Sequence, residues 1–322
     1  MQRRQFLQYS LATLAAGATA GWIAPAQARG LPGESRTDAA AFRAMRRYAE
    51  LPFGRIAYAD RGRGKAALFL HGAPLNSYQW RGAIDRLAAH RRCIAPDLMG
   101  LGYSEVHENQ ALGAADQVAM LAALLDKLSI RGVDIVASDC GTAIAQLFLV
   151  RYPEHVRTLL LTNGDVEIDS PPAKVQPAID MARKGTLADA TAEWLTDRAL
   201  ARSTFGASVF HDPSRFADAT IDYYVTPLVS TPLRRKQYHA FHLALEPNPL
   251  AGIEAKLQRS QVPVRMVWGA SDDIFAMGDA EYLDRVFPRS RGIRRVAEGK
   301  LFFQEEYPEV IAAEAMHLWG LA

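Results

Sequence analysis

The sequence predicts an α/β protein built on a mainly parallel sheet with helices on both faces. Three observations predict this class: short, continuously apolar runs recur along the chain, helical stretches separate them, and glycine-rich loops follow several of them. Strands of a parallel sheet read as continuous apolar runs because helices cover the sheet on each side. The 322 residues, 49% hydrophobic and 22% charged, can bury a large core.

Strands and helices alternate through the first half of the chain. Apolar runs predict strands at residues 66–70, 92–95, 133–137 and 158–162. Between the first two runs we expect a helix with Trp80, Ile84 and Leu87 on one side, and residues 114–128 form a second helical pattern. Each strand-helix-strand unit returns the chain parallel to its previous strand.

The periodicity changes between residues 166 and 258. This stretch contains amphipathic helical windows at residues 187–200 and 234–245 and no convincing strand. Strand patterns return at residues 262–268 and 292–296, and a last helix begins near Pro308. We therefore divide the chain into four segments: a signal peptide at residues 1–28, a first core part at 29–165, a helical cap at 166–258 and a second core part at 259–322.

The first 28 residues resemble a twin-arginine export signal. Arg3 and Arg4 precede Phe6, Leu7 and an apolar, alanine-rich stretch that ends in the small-x-small pattern of residues 26–28. The alternative is an uncleaved N-terminal anchor, although so short an apolar region seldom spans a membrane. We expect export to the periplasm.

Charge and composition limit the partners. A formal net charge of +2, without a long basic run, argues against nucleic acid. No stretch after residue 30 is long and apolar enough for a membrane span, so none is expected in the mature chain. His239 and His242 share a helix face without an evident third ligand, so we expect no metal and no cofactor. The expected partner is a small-molecule substrate, and the oligomeric state is open.

The most informative stretch is the end of the predicted strand 133–137. Residues 138–142 (SDCGT) follow it and lead into a helix, which predicts a sharp strand-to-helix turn carrying Asp139. Ala137 and Gly141 supply the small residues that such a turn needs on each side of its nucleophile. A carboxylate in this place would attack carbon and form a covalent ester.

The two cysteines are expected to be free thiols. Cys93 lies in one predicted strand and Cys140 at the turn, with another strand between them, so their backbones should lie about 9.5 Å apart. A disulfide spans at most about 7 Å between Cα atoms. Cys140 itself is an alternative nucleophile, although the position of Gly141 favours Asp139.

Three motifs in this order resemble the α/β-hydrolase superfamily, in particular its aspartate-nucleophile branch of haloalkane dehalogenases and epoxide hydrolases. Beside the turn at Asp139, residues 71–74 (HGAP) match the oxyanion-loop motif HGxP, and residues 96–104 (PDLMGLGYS) match PDxxGxGxS. Residues 76–81 (NSYQWR) look especially dehalogenase-like. The resemblance covers about residues 45–320 and implies an eight-stranded, mainly parallel sheet with a helical cap.

The resemblance also implies roles for individual residues. The backbone N–H groups of Ala73 and Cys140 should form the anion site. Asp272 matches the third triad member, with Asp273 expected to face solvent and Asp165 as a second candidate acid.

The catalytic histidine of the family is missing from its expected place. The segment after the last strand, residues 298–306 (EGKLFFQEE), has Lys300 where the base was expected. The histidine activates the water that hydrolyses the ester. We consider Lys300 as a substitute base after desolvation, His317 or His71 reaching the site, or an ion pair of Lys300 with Asp272 or Asp139.

The substrate-binding residues expected from the sequence come from the core and the cap, namely His71, Trp80, Tyr223, Tyr224 and Tyr238. Dehalogenases commonly hold the leaving halide with Asn and Trp side chains, whereas Ala73 and Cys140 stand at those positions. Epoxide hydrolases instead need cap tyrosines as acids. The predicted function is hydrolysis of a small apolar substrate through an Asp139 ester, and the alternative is a degenerate hydrolase that binds ligands in the periplasm.

Overall fold

The computed structural model describes residue 35 and residues 37–321, so the predicted signal peptide lies outside the described residues. Its strands are β1 (Arg46–Leu51), β2 (Gly54–Arg61), β3 (Ala66–Leu70), β4 (Arg92–Pro96), β5 (Glu105–Val106), β6 (Val133–Asp139), β7 (Val156–Gly164), β8 (Val264–Gly269) and β9 (Ser290–Val296). The helices around the sheet are α1 (Ala39–Met45), α2 (Arg81–Leu87), α3 (Ala114–Lys127) and α4 (Cys140–Arg151). Between β7 and β8 lie α5 (Gln176–Arg183), α6 (Leu187–Glu193), α7 (Arg198–Ala201), α8 (Ala207–Val209), α9 (Asp218–Val229), α10 (Pro232–Leu243) and α11 (Glu254–Leu257). The chain ends with α12 (Met277–Val286) and α13 (Pro308–Leu318).

The strands of the described residues form a single sheet in the order β1-β2-β4-β3-β6-β7-β8-β9, with the short β5 paired to the start of β2. From β4 to β9 along this order the neighbouring strands run parallel, whereas β1 and β2 are antiparallel. Every residue of β3 and β6 is buried. The predicted α/β class with a mainly parallel sheet is confirmed, and β5 is an addition to the eight expected strands.

Helices flank this sheet in packed pairs. The α2 and α13 helices contact each other, as do α3 and α4, and α12 packs on β8 and β9. The apolar side predicted for the helix around α2 is confirmed, since Trp80, just before α2, and Ile84 and Leu87 within it are fully buried. No helix in the described part of the chain combines the length and hydrophobicity that crossing a membrane requires.

In the segment between β7 and β8 the regular elements are helices joined by loops, apart from an isolated bridge between Val166 and Asp169. Its helices pack on one another, above all α10 on α5 and α9, and α6 on α9. We call this segment, residues 166–258, the cap.

Both cysteines are free and buried. Cys93 lies in β4 and Cys140 begins α4, and β3 separates their strands. The expectation of two unpaired thiols is therefore confirmed, for the reason given by the strand order.

Candidate active site

The turn from β6 into α4 holds Asp139 in a strained conformation. Asp139 has φ 54° and ψ −135°, a region that residues with a side chain rarely enter. Glycines make room for the turn: a Cβ on Gly141 would lie 2.8 Å from the carbonyl oxygen of Leu70, and one on Gly72 would lie 2.5 Å from the Asp139 side chain. The turn has the geometry of a nucleophile elbow, which presents its side chain at the carboxyl end of the sheet.

Two backbone N–H groups bind the Asp139 carboxyl. The N–H of Ala73 donates to Oδ2 at 2.8 Å, and the N–H of Cys140 also donates to the carboxyl and lowers its pKa. Such donors stabilise negative charge that develops on an oxygen of the bound group. If Asp139 becomes an ester, the same two donors face the oxyanion formed when water attacks it.

His71 holds the oxyanion loop in place rather than facing a substrate. Its Nδ1 donates to the carbonyl of Gly72 at 2.9 Å, and its Nε2 accepts from the N–H of Leu98 at 2.9 Å. The ring is fully buried, and burial lowers its pKa, so it stays neutral. Because both ring nitrogens are occupied, the structure does not support His71 as a substrate contact or as a substitute base.

Asp165 lies beside Asp139. Gly164, the last residue of β7, pairs in register with Asp139, and Asp165 is the next residue along the chain. Adjacent strands lie about 4.8 Å apart. The carbonyl of Asp165 is fixed by Thr142 Oγ1 at 3.0 Å and Gln146 Nε2 at 2.8 Å, both on α4. The strand register and α4 therefore fix the backbone of Asp165 beside Asp139, and the charge of the Asp165 carboxyl acts on that of Asp139.

This carboxyl pair has unusual proton affinity. Burial, and secondarily the charge of Asp165, raise the pKa of Asp139 to about 8. Burial raises the pKa of Asp165 to about 6. Two buried carboxyls this close do not both ionise readily, so near neutral pH the pair holds one proton.

Asp272, the predicted third member, lies in the loop after β8 and is almost buried, whereas Asp273 is exposed and forms an ion pair with Lys174. Asn163 Nδ2 donates to Asp272 Oδ2 at 2.8 Å, and the N–H of Ile274 donates to Oδ1 at 3.0 Å. Burial raises the pKa of Asp272 to about 6. Its hydrogen bonds leave it turned toward Asn163 and the loop backbone.

A cavity of about 310 Å³ opens above Asp139, between the sheet and the cap. The core contributes Ala73, Pro74, Asp139, Cys140, Asp165, Ile274, Phe275 and Leu301. The cap contributes mostly apolar side chains, with Lys174, Thr191, Trp194, Tyr238 and His242 among them. A larger open groove of about 1230 Å³ along α3, α4 and α11 contains none of the predicted site residues. The cavity that contains the carboxyl pair is thus the candidate active site.

The loop after β9 presents Leu301, and not Lys300, to this cavity. Lys300 Nζ instead donates to the carbonyl of Ala207 in the cap at 2.6 Å. Among the described residues Lys300 forms no ion pair, so the predicted pairing with Asp272 or Asp139 is wrong. The expectation that Lys300 stands at the base position is therefore not supported: the residue of this loop that lines the cavity is the aliphatic Leu301, which cannot take a proton.

Of the predicted aromatic contacts, Tyr238 alone lines the cavity. Trp80 is buried against Phe69 in the core. Tyr223 OH accepts from Arg46 Nη2 at 2.5 Å, and Tyr224 OH donates to Glu305 Oε1 at 2.9 Å, both away from the cavity. The predicted substrate contacts at Trp80, Tyr223 and Tyr224 are therefore not supported, because Trp80 packs inside the core and the two tyrosines join the cap to the core.

His242 is a cavity residue that the sequence did not single out for catalysis. Its Nδ1 donates to the carbonyl of Tyr238 at 3.0 Å, which leaves the lone pair on Nε2, and burial lowers its pKa to about 4. His239 faces elsewhere and accepts from the N–H of Ala188 at 2.9 Å. Three potential metal ligands do not come together anywhere in the described chain. His317, on the last helix, is outside the residues that line the cavity.

Cys140 contributes its backbone more than its thiol. Burial, and secondarily the charge of Asp139, raise the pKa of the thiol well above its ordinary value. The thiolate is the reactive form of cysteine. A neutral thiol beside a strained, hydrogen-bonded carboxyl makes Asp139 the stronger candidate for nucleophile.

Known proteins resemble this chain in sequence and in fold. A haloalkane dehalogenase from Mesorhizobium japonicum is 43% identical over 102 residues, which cover 31% of this chain and 33% of that protein. The crystal structure of a haloalkane dehalogenase from Bradyrhizobium elkani is 26% identical with a TM-score of 0.69, covering 86% of this chain and 98% of that one. An epoxide hydrolase structure at 22% identity, with a TM-score of 0.72 over 85% of this chain and 98% of that one, shows the shared fold. The family model for the alpha/beta hydrolase fold matches residues 66–307, and the chain belongs to that family.

Proposed function

We propose that the protein is a hydrolase that attacks a small apolar substrate with the Asp139 carboxylate and forms a covalent ester. One observation carries this proposal: the Asp139 carboxyl sits on a strained elbow, bound by the Ala73 N–H, and lines a largely apolar cavity. A fixed carboxylate oxygen facing a bound carbon is the arrangement that nucleophilic catalysis needs.

The polar groups of the cavity favour an epoxide over a haloalkane. Neither Ala73 nor Cys140 offers a strong side-chain donor to a leaving halide. Tyr238 lines the cavity, and its hydroxyl lies 3.3 Å from Thr191 Oγ1. Burial raises the pKa of Tyr238 to about 12, so the phenol keeps its proton and can donate to the oxygen of an opening epoxide.

A second candidate, a protein that binds or traps its ligand without turnover, is supported by Leu301. This aliphatic side chain lines the cavity from the loop in which the family places its water-activating histidine. Attack by Asp139 does not need that histidine, whereas hydrolysis of the resulting ester needs some base.

Intact-mass analysis after incubation with epoxides, bromoalkanes and esters tests the nucleophile. We expect wild type to gain the mass of the alkyl group, mapped to the peptide with Asp139, and Asp139→Asn to gain nothing. Cys140→Ser should keep the adduct, which separates carboxyl attack from thiol attack. An adduct on Cys140, or neither adduct nor product with any compound, would overturn the proposed nucleophile.

We also propose export through the twin-arginine route, on the strength of Arg3, Arg4 and the apolar stretch that follows. Replacement of both arginines by lysine should keep the protein in the cytoplasm of a host with this pathway. Fractionation measures the outcome, and unchanged export of the double variant would contradict the proposal.

A further inference from the structure

Hydrolysis of an Asp139 ester requires a group that takes a proton from water, and the loop after β9 supplies none. Leu301 occupies the cavity wall there, and Lys300 is bound to the cap. The cavity nevertheless contains a second carboxyl, Asp165, which is 5% exposed. A carboxylate can act as a general base when it lies within reach of the attacking water.

The fold holds Asp165 against the nucleophile. The register of β6 and β7 pairs Asp139 with Gly164, and a Cβ on Gly164 would lie 2.5 Å from the carbonyl oxygen of Asp139. The backbones of β6 and β7 therefore approach each other closely at Gly164, the residue before Asp165. Thr142 and Gln146 then fix the Asp165 carbonyl, so its position is set independently of any substrate.

We propose that Asp165 is the general base that activates water for hydrolysis of the Asp139 ester, in place of the missing histidine. This proposal rests on the proposed ester chemistry. Water attacks the acyl carbon of the Asp139 ester, and its proton passes to the Asp165 carboxylate. The oxyanion binds the N–H groups of Ala73 and Cys140. When the acyl carbon–oxygen bond breaks, the departing alkoxide takes the proton from Asp165, and Asp139 is left as a carboxylic acid.

The charges around Asp165 suit this role. The titratable groups that act on it or share its cavity are Asp139, Asp169, Asp279, His242, Tyr238, Lys174 and Cys140. Esterification makes Asp139 neutral, which removes its charge from beside Asp165. The Asp165 carboxylate can then ionise without opposition from Asp139 while the water is attacked.

The first test follows the ester through a single turnover of an epoxide probe by intact mass. We expect wild type to form and clear the adduct, and Asp165→Asn to form it but clear it at least about a hundredfold more slowly. Asp126→Asn is the matched control, because this exposed carboxyl on α3 does not line the cavity, and it should clear the adduct at the wild-type rate. Clearance by Asp165→Asn at the wild-type rate overturns the proposal, as does a stall caused by His242→Gln instead.

A second test uses wild type alone, in case Asp165→Asn folds poorly. Clearance of the preformed adduct should rise about tenfold per pH unit below the Asp165 ionisation and level off above it. In ¹⁸O-water, one heavy oxygen should enter Asp139 in each turnover. A clearance rate that does not change between pH 4.5 and 8 overturns the role of Asp165. Heavy oxygen in the alcohol alone would mean that water attacks the alkyl carbon, which overturns hydrolysis at the acyl carbon of Asp139. Absence of any adduct in wild type and Asp165→Asn overturns the ester chemistry itself, which distinguishes the two failures.

Discussion

At the scale of single residues, the buried carboxyl pair controls both the reactivity and the pH dependence of the site. In the proposed reaction Asp139 attacks as a carboxylate, yet burial and Asp165 raise its pKa to about 8. Protein molecules in which Asp139 is protonated cannot react, so the reaction requires the carboxyl pair to lose its remaining proton. The oxyanion donors work in the opposite sense, because they favour the ionised form.

Adduct formation by wild type should therefore rise with pH and level off above about pH 8. Asp165→Asn removes the neighbouring negative charge and should move the midpoint to lower pH. The measurement is the initial rate of mass gain between pH 5 and 9.5. Asp126→Asn, an exposed carboxyl on α3, serves as control and should leave the midpoint unchanged. A wild-type midpoint near pH 4 would contradict this expectation.

The one-residue difference between Lys300 and Leu301 gives a sharp comparison. Leu301→His places an imidazole on the cavity wall, where it can activate water, and should speed clearance of the ester at least about tenfold. Lys300→His places it against the cap carbonyl of Ala207 and should not speed clearance. Intact mass over time measures both. Faster clearance in Lys300→His than in Leu301→His would show that residue 300, and not residue 301, faces the cavity.

At the scale of elements, the segment after β9 fastens the cap to the core. Lys300 Nζ donates to the carbonyl of Ala207, and the N–H of Phe302 donates to the carbonyl of Val209. Glu306 accepts from the N–H groups of His211 and Asp212 at 3.0 and 2.9 Å. The cap edge around α8 is thus held mainly through its own backbone, which makes this contact tolerant of cap side-chain changes.

Loss of the lysine bond should loosen that edge. Lys300→Met keeps the length of the side chain but removes the charge-assisted bond, which typically contributes about 1.5–3 kcal/mol. Hydrogen exchange should become faster in residues 202–212 and stay unchanged in β3 and β6. Lys127→Met, at an exposed position in α3, is the control. Equal protection of residues 202–212 in both variants would show that the bond contributes nothing.

A buried ion pair makes the second connection between cap and core. Arg81 Nη1 donates to Glu305 Oε2 at 2.5 Å, and Tyr224 of α9 donates to the other oxygen of the same carboxylate. Arg81→Met would leave Glu305 buried without its cation, which should destabilise the protein by about 3–5 kcal/mol. Arg86→Met breaks the contact at 3.9 Å with the exposed Glu309 and a hydrogen bond at 2.9 Å to the carbonyl of Gly82 in its own helix, and should cost about 1 kcal/mol. Urea unfolding of both variants measures the difference, and equal losses would contradict it.

At the scale of the whole molecule, the pattern of apolar runs was sufficient to predict the fold. The run at residues 66–70 became β3 without a shift, and the helical stretch between β7 and β8 contains none of the named strands. Both features follow from burial on two faces and from local periodicity, which a sequence carries directly. The turn at Asp139 could also be predicted from the sequence, since the turn requires small neighbours and Ala137 and Gly141 supply them.

The cavity wall was harder to predict because it depends on contacts between distant segments. Gly299 packs against Gly269, where a Cβ on the latter would lie 2.5 Å from the Gly299 carbonyl oxygen. This contact fixes how the loop leaves the sheet and turns Leu301 inward. The roles of Tyr223 and Tyr224 depended on Arg46 and Glu305, which are far away in the sequence. A loop motif alone cannot specify such partners.

The raised pKa of Asp139 also affects global stability. Between about pH 4 and pH 8 the folded state holds a proton that the unfolded chain has lost, so stability falls as the pH rises through this window. Asp139→Asn has no carboxyl that must ionise. As the pH rises from 4.5 to 8, its free energy of unfolding should therefore increase relative to that of wild type by at least about 1 kcal/mol. Thermal melts measure the difference. A gap between the two proteins that is constant with pH would contradict the buried, proton-holding state.

The carboxyl pair also acts as an electrostatic filter on what can enter. Near neutral pH the cavity floor carries one negative charge, and Lys174 on the wall is already paired with Asp273. A ligand with its own carboxylate would be repelled. Its negative charge would also raise the pKa values of the pair, which would keep the nucleophile protonated and unreactive. The enzyme should thus favour uncharged compounds, and an anionic epoxide should react more slowly than a neutral one of equal length.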